Sequence, residues 1–286
     1  MDGKQCSSEF AEELKNDIAR YYKNGGPRLQ LSVVLIGNDP ASLRYVSLKK
    51  KMAEKLGILF RELFLPDTLM EDAVRLTLRS EASAEDVTAM ILQLPLPQTF
   101  ARQNLCNEIP PEKDCDVLSA VARKRYENGA LEIEPPIVSA VSRLLTRYGV
   151  SVESYAGESG AVVVAGFGAL VGRPLVAWLS KYGIIPRVLT RENPVRASEL
   201  SSAKLIFSGV GIPGLITADM LGPDAIIIDA GASTARGELV GDVAPEACAY
   251  ARLCAPVPGG IGPLTVVSLF QNVLTLAQNK KDNRFI

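Results

Sequence analysis

Three observations predict an α/β chain made of two parallel-sheet domains. Short apolar, β-rich runs alternate with helix-length amphipathic segments along its 286 residues. That alternation is broken by Glu134-Pro135-Pro136 and then starts again. A glycine-rich turn in the second half, Gly166-Phe167-Gly168-Ala169-Leu170-Val171-Gly172, follows an apolar strand and opens a helix.

In order, the first strand is Leu29 to Ile36. Asp39-Pro40 then reads as an N-cap followed by proline at the first helical position, with the helix running from Ala41 to Leu56. Leu59 to Leu65 is a strand, Met70 to Arg79 a helix, and Val87 to Gln93 a strand stopped by Pro95 and Pro97. After the Pro-Pro break come a helix (Ile137 to Tyr148), a strand (Ala161 to Ala165), a helix (Leu170 to Tyr182) and a strand (Pro186 to Thr190). Further strands are expected at Leu205 to Ser208, Ala225 to Asp229 and Tyr250 to Cys254, with a final helix from Pro263 to Ala277. The tail from Asn279 is polar and is expected to fray. The domains expected are 1–137 with 264–286, and 138–263.

Composition narrows the chemistry. The chain is 47% apolar and 22% charged, with a formal net charge of −1, which offers no basic excess for general nucleic-acid binding. No unbroken apolar run reaches the roughly 18 residues that span a bilayer, and the polar start opens no signal peptide, so a cytoplasmic location is expected. Histidine is absent, which removes Ser-His-Asp, Cys-His and histidine-metal chemistry. The five cysteines are spaced for neither a disulfide framework nor zinc, and are expected to be reduced, buried residues. No metal is expected. An acid or base must therefore be Lys, Tyr, Asp, Glu or Cys.

Candidates of that kind lie where strands and helices end. Tyr45 and Lys49 are one turn apart on one helix face; a lysine there is either solvated or, if buried, a proton-transfer group. Gln93 closes an apolar strand, where its amide either orients a neighbour or bonds its own loop. Lys113-Asp114-Cys115-Asp116 holds either turn-forming aspartates or an acceptor for ligand N–H groups. The glycine turn at 166–172 is either a tight strand-to-helix connection or a phosphate cradle at a positive helix end. Pro256-Val257-Pro258-Gly259-Gly260-Ile261-Gly262-Pro263-Leu264-Thr265 is a rigid, shaped loop feeding a helix N-terminus.

Taken together these segments resemble the bifunctional methylenetetrahydrofolate dehydrogenase/cyclohydrolase family. The resemblance runs through Asp2-Gly3-Lys4, Gly37 to Ser42, Tyr45, Lys49, Gln93 to Pro97, Lys113-Asp114-x-Asp116, Val171 to Pro174, Gly241-Asp242-Val243 and the Pro256–Thr265 loop. It implies a folate-binding catalytic domain, a Rossmann-type NADP-binding domain and a cleft between them. By resemblance Lys49 transfers protons in the cyclohydrolase step, Tyr45 lies over the folate, Gln93 tunes the lysine and Asp116 holds the pterin. Pro258, Gly259 and Gly260 are then substrate contacts. Cofactor contacts are Gly166, Phe167, Gly168, Val171, Gly172 and Arg173 on the glycine turn, with Thr190, Arg191, Ala232, Gly262 and Thr265 elsewhere. The implied ligands are NADP, with NAD as an alternative, and a tetrahydrofolate derivative; the implied assembly is a homodimer.

The chain departs from the family pattern at four places. Val117 stands where the family usually has Gly, and Pro136-Ile137-Val138-Ser139 where it has Thr-Pro. Gly168 replaces a Ser, and Thr190-Arg191 a His-led pair. Arg191 suits a 2′-phosphate, whereas Glu192 beside it weakens that preference. A single-activity dehydrogenase and a catalytically silent binding protein are the alternatives to the bifunctional enzyme.

Overall fold

Two parallel sheets organise the chain, and its residues cluster into two units around them. The structure, a computed structural model, describes residues 1–235 and 238–282. One unit comprises Glu9–Pro136 and the stretch from Val266 onward; the other comprises Met1–Ser8 and Ile137–Thr265. Residues 1–8, expected in the first domain, thus cluster with the second unit. The Met1 amino group donates to the Cys254 carbonyl, and Ser7 Oγ donates to the Pro263 carbonyl at 3.1 Å.

Helix α1 (Gly3–Lys23), which the sequence reading did not anticipate, belongs to the first unit from Glu9 onward. Phe10, Leu14, Ile18 and Tyr21 recur at helical spacing on its buried face. Strand β1 (Gln30–Ile36) is buried at every position, as the centre of a sheet covered on both faces should be. It pairs in parallel with β2 (Leu59–Leu65) and β3 (Ala89–Leu92), giving the order β2-β1-β3. Between them lie α2 (Pro40–Leu56) and α3 (Glu71–Ser83). Two short helices follow, α4 (Arg102–Cys106) and α5 (Ala120–Glu127). Val34, Ile36, Val74, Leu78, Met90, Leu92 and Leu105 form a continuous core.

Helix α6 (Pro136–Arg147) leads into the second sheet. Its strands are β4 (Val162–Ala165), β5 (Arg187–Leu189), β6 (Leu205–Ser208) and β7 (Ile226–Asp229). Helices α7 (Gly172–Ser180) and α8 (Ala197–Leu200) connect them. An antiparallel hairpin, β8 (Ser233–Ala235) with β9 (Glu238–Val240), and α9 (Pro245–Tyr250) precede β10 (Leu253–Ala255). The order is β10-β7-β6-β4-β5, all pairs parallel, so the chain reverses direction across the sheet beside β4. Ligands of open α/β sheets gather at such a switch point, outside the carboxyl ends of the strands. The strand expected at Tyr250–Cys254 starts later, at Leu253, because Pro245 initiates a helix that occupies Tyr250.

Helix α10 (Ile261–Asp282) extends beyond both expected ends. Fraying from Asn279 is not observed as far as Asp282; residues 283–286 of the expected polar tail lie outside the described residues. By length and composition Ile261–Lys280 could cross a membrane, but 67% of that window is buried within the protein, as in a core helix. Leu269, Phe270, Val273 and Leu274 account for much of that burial.

The cysteine expectation needs correction at one place. Cys248 and Cys254 form a disulfide, with Cα atoms 5.4 Å apart. The turn from α9 into β10 folds the chain back within six residues, which places the two Cβ atoms within bridging reach. Cys6, Cys106 and Cys115 are buried thiols. Thiol titration of the denatured, unreduced protein is therefore expected to count the three residues Cys6, Cys106 and Cys115. A count matching all five cysteines of the sequence would contradict the bridge.

Candidate active site

Helix α2 begins as its sequence predicts. The Asp39 carboxylate accepts from the Ser42 amide at 2.8 Å, and Pro40 takes the first turn. Its buried stripe is Ser42, Val46, Lys49, Ala53 and Leu56, so Lys49 occupies a core position in an otherwise mostly apolar row. Lys50 and Lys51, on other faces, are exposed. Burial of an ammonium demands a partner, and Gln93 supplies it: Lys49 Nζ donates to Gln93 Oε1 at 2.7 Å. The Gln93 side chain is held in turn, its Nε2 donating to the Leu94 carbonyl at 2.6 Å, while its backbone amide donates to the Val34 carbonyl at 2.9 Å. Lys49 is buried rather than solvated, and the Gln93 amide both accepts from it and bonds its own loop.

Desolvation pulls the Lys49 ammonium below its ordinary value, against the opposing charge of Asp116. Desolvation raises the Asp116 carboxyl, with Lys49 opposing. Tyr45, one turn before Lys49 and partly buried, is also raised by desolvation. Tyr45, Lys49, Gln93 and Asp116 thus belong to one unit, and Lys49 and Asp116 are electrostatically coupled within it.

The loop carrying Asp116 is shaped by residues the sequence reading did not single out for that task. Met90 in β3 donates its amide to the Lys113 carbonyl at 2.7 Å, joining the loop to the sheet edge. The buried Asp114 carboxylate accepts from the Leu118 amide at 3.2 Å and the Ser119 amide at 2.7 Å. Asn272 on α10 donates to the carbonyls of Cys115 at 2.9 Å and Glu134 at 2.7 Å. Between these anchors Val117 is forced to φ 57°, and it is buried. A β-branched residue rarely adopts that conformation.

In the second unit the β4–α7 turn is close-packed at its base. Gly166 has φ +91°, and a Cβ there would lie 2.5 Å from the Gly209 carbonyl oxygen. Around Gly168, by contrast, a Cβ would meet nothing within 4 Å. Phe167, Gly168 and Arg173 are exposed at the mouth of this turn, with the Arg173 guanidinium 5.4 Å from the Phe167 ring centre. Gly172 is the first residue of α7, and Val171 precedes it. Open space above a turned backbone at a helix N-terminus fits a diphosphate. Thr190 follows β5, where its Oγ1 accepts from the Glu192 amide at 3.3 Å; Arg191 is exposed beside it. Ala232 is exposed between β7 and β8.

The loop from Pro256 to Thr265 closes on itself. The Gly260 amide donates to the Pro256 carbonyl at 2.7 Å, and Thr265 Oγ1 donates to the Gly262 carbonyl at 2.6 Å. Pro258 is exposed, Gly259 is half-buried and Gly260 is buried. A Cβ on Gly3 would lie 1.7 Å from the Gly260 oxygen, so the start of α1 packs directly on this loop within the second unit. Among the described residues no group of three or more His, Cys, Asp or Glu is arranged to hold a metal ion.

Comparison with known proteins agrees with this geometry. Residues 1–116 match the tetrahydrofolate dehydrogenase/cyclohydrolase catalytic domain, and residues 135–281 match the NAD(P)-binding domain of the same family. The chain belongs to the tetrahydrofolate dehydrogenase/cyclohydrolase family. It is 34% identical over 275 residues to the bifunctional protein FolD of Desulforamulus reducens, covering 96% of this chain and 95% of that protein. It is 33% identical over 288 residues to FolD of Aquifex aeolicus, covering 98% and 95%. Among solved structures, Trypanosoma brucei methylenetetrahydrofolate dehydrogenase-cyclohydrolase, complexed with NADP cofactor and inhibitor, superposes with a TM-score of 0.90 at 29% identity, over 98% of this chain and 97% of that one. The Campylobacter jejuni enzyme superposes with a TM-score of 0.89 at 28% identity, over 98% of both chains. The dehydrogenase/cyclohydrolase architecture of a catalytic domain and an NAD(P)-binding domain is therefore the architecture of this chain.

Two predictions follow from the anchors. Burial raises the Asp114 carboxyl from 3.8 to about 6. The native state then binds more protons than the unfolded one between those values, so this group's stabilising contribution is complete below the lower value and is lost as pH rises through the upper. Relative to Asp114→Asn, the wild type is expected to lose about 3 kcal/mol between roughly pH 4 and pH 6, read by urea denaturation at each pH. A difference that stays flat across that range would contradict the burial of this carboxyl. Gly3→Ala is expected to cost about 1–3 kcal/mol by overpacking against Gly260, and an unchanged denaturation midpoint would contradict that close approach.

Proposed function

We propose that this chain catalyses two successive reactions of one-carbon metabolism. It oxidises methylene-tetrahydrofolate to methenyl-tetrahydrofolate with NADP⁺, and then hydrolyses that product to formyl-tetrahydrofolate. The buried Lys49 bonded to Gln93 is the observation that carries this reading. A lysine serves as a base near neutrality only if its ammonium is disfavoured, and desolvation at this position does that.

Bound NADP⁺ supplies the hydride acceptor. The chain's own residues do the remainder. Asp116 accepts from the N–H groups of the pterin, and Tyr45 packs over the folate. Pro258, Gly259 and Gly260 line the substrate. Neutral Lys49 takes a proton from the attacking water as the C–O bond forms at the methenyl carbon. It then returns that proton to the departing ring nitrogen as the C–N bond breaks, and the hydroxyl proton is released with formation of the formyl group. Gln93 keeps the nitrogen aimed during both transfers. The cation is already electrophilic, so positioning and a single tuned base suffice for chemistry in a chain without histidine.

In the second unit the turn at Gly166, Phe167, Gly168, Val171 and Gly172 cradles the diphosphate. Arg173 and Arg191 are the cations available to a 2′-phosphate. Ala232, Thr190, Gly262 and Thr265 complete the cofactor contacts. The Trypanosoma brucei relative, crystallised with NADP, supports the choice of dinucleotide. The proposal includes a cytoplasmic homodimer.

The test is incubation with methylene-tetrahydrofolate and either NADP⁺ or NAD⁺, following reduced dinucleotide and methenyl-tetrahydrofolate separately. Reduced dinucleotide without accumulating methenyl product is expected with NADP⁺. Accumulation of the methenyl compound would remove the second activity, and no turnover with either dinucleotide would remove both. Lys49→Met is expected to lower methenyl-tetrahydrofolate hydrolysis by about 100-fold or more, with the folate dissociation constant within about threefold of wild type. Undiminished hydrolysis by that variant would overturn the role of Lys49.

A further inference from the structure

The Gly241-Asp242-Val243 segment has no part in the chemistry above, yet it carries the densest set of side-chain acceptor bonds in the second unit. Asp242 is fully buried. Its Oδ2 accepts from Ser208 Oγ at 2.7 Å and from the Val210 amide at 2.7 Å. Its Oδ1 accepts from the Gly211 amide at 2.9 Å and the Ile212 amide at 2.8 Å. Three consecutive amides turned onto one carboxylate make a backbone nest, here filled by the protein's own anion. The nest begins where β6 ends, next to β4 in the sheet, and the residue between β6 and the nest is Gly209. Gly209 is the residue whose carbonyl oxygen lies against Gly166. Asp229, also fully buried, holds the far side by accepting from the amides of Gly231 at 2.9 Å, Asp242 at 3.2 Å and Val243 at 2.9 Å.

We propose that Asp242 is a positioning residue for the dinucleotide: by gathering the amides of Val210, Gly211 and Ile212 it fixes the backbone that supports the glycine turn at Gly166. This rests on the reading that the turn binds NADP. Without the carboxylate these three amides would need other partners, and the nest would either open or draw in water. Either outcome frees the Gly209 carbonyl and with it the floor of the turn. An asparagine at 242 keeps one oxygen but sets an NH₂ group against donors, so it cannot satisfy the same four bonds. The residue touches no reacting atom; it acts through the loop.

The experiment measures NADP⁺ affinity by fluorescence titration, melting temperature, and Michaelis constants for both substrates, in wild type, Asp242→Asn and Ser208→Ala. For Asp242→Asn the dissociation constant and KM for NADP⁺ are expected to rise by about tenfold or more, while KM for methylene-tetrahydrofolate holds within about twofold. Ser208→Ala removes one donor and leaves the three amides, and is expected to weaken NADP⁺ by about threefold; it carries the test if Asp242→Asn does not fold. A lowered melting temperature with wild-type NADP⁺ affinity in the folded variants would show a merely structural aspartate and overturn the proposal. Wild type that binds neither NADP⁺ nor NAD⁺ would overturn the cofactor reading itself, and the positioning role with it.

Discussion

Backbone amides that leave the end of a parallel strand point at no neighbouring strand, and inside a protein they must still be bonded. In this chain three buried aspartates meet that requirement. Asp114 holds the amides of Leu118 and Ser119; Asp242 holds those of Val210, Gly211 and Ile212; Asp229 holds those of Gly231, Asp242 and Val243. Burial works against the charge, and both Asp114 and Asp229 are pushed up to about 6. Since that value lies below neutrality, both remain largely ionised at neutral pH and keep their full capacity to accept.

The same competition between burial and charge acts on the ammonium of Lys49. The Asp116 carboxylate favours its ammonium, but desolvation is the larger effect and wins. A neutral amide partner is well matched to this outcome. Gln93 can accept from the ammonium without adding a negative charge, whereas a carboxylate in its place would restore the proton to the lysine. Lys50 and Lys51, a residue or two along the same helix, remain in water. The difference is one of helix face alone.

Much of this was legible in the sequence because it depends on local pattern. The largely apolar runs of β1, β4, β6 and β7, and the Asp39-Pro40 start of α2, read directly as they fold. The i, i+4 pairing of Tyr45 and Lys49 and the glycine turn at 166–172 were likewise visible. Helix α1 escaped notice because charged residues dilute the apolar stripe of Phe10, Leu14 and Ile18. The burial of Lys49 could not be read at all: spacing places it on a face, but only packing says whether that face is covered. Asn272 bonds a carbonyl 157 residues away, and no local pattern announces such a partner. Its one signal was a polar residue within the apolar run of α10. The Cys248–Cys254 bridge was missed for the same reason, since it depends on how tightly α9 turns into β10.

Val117 gives the loop that carries Asp116 an unusual mechanical character. A β-branched residue held at φ 57° stores strain of about 1–3 kcal/mol. The loop cannot relax that strain without breaking the bonds of Asp114 to the two following amides or of Asn272 to the preceding carbonyl. It is pulled against fixed points on both sides, like a tensioned wire rather than a slack one. Tension of this kind narrows the range of positions that Asp116 can sample, because small excursions in either direction raise the energy steeply. The Asp116 carboxylate is therefore held still by the discomfort of its neighbour.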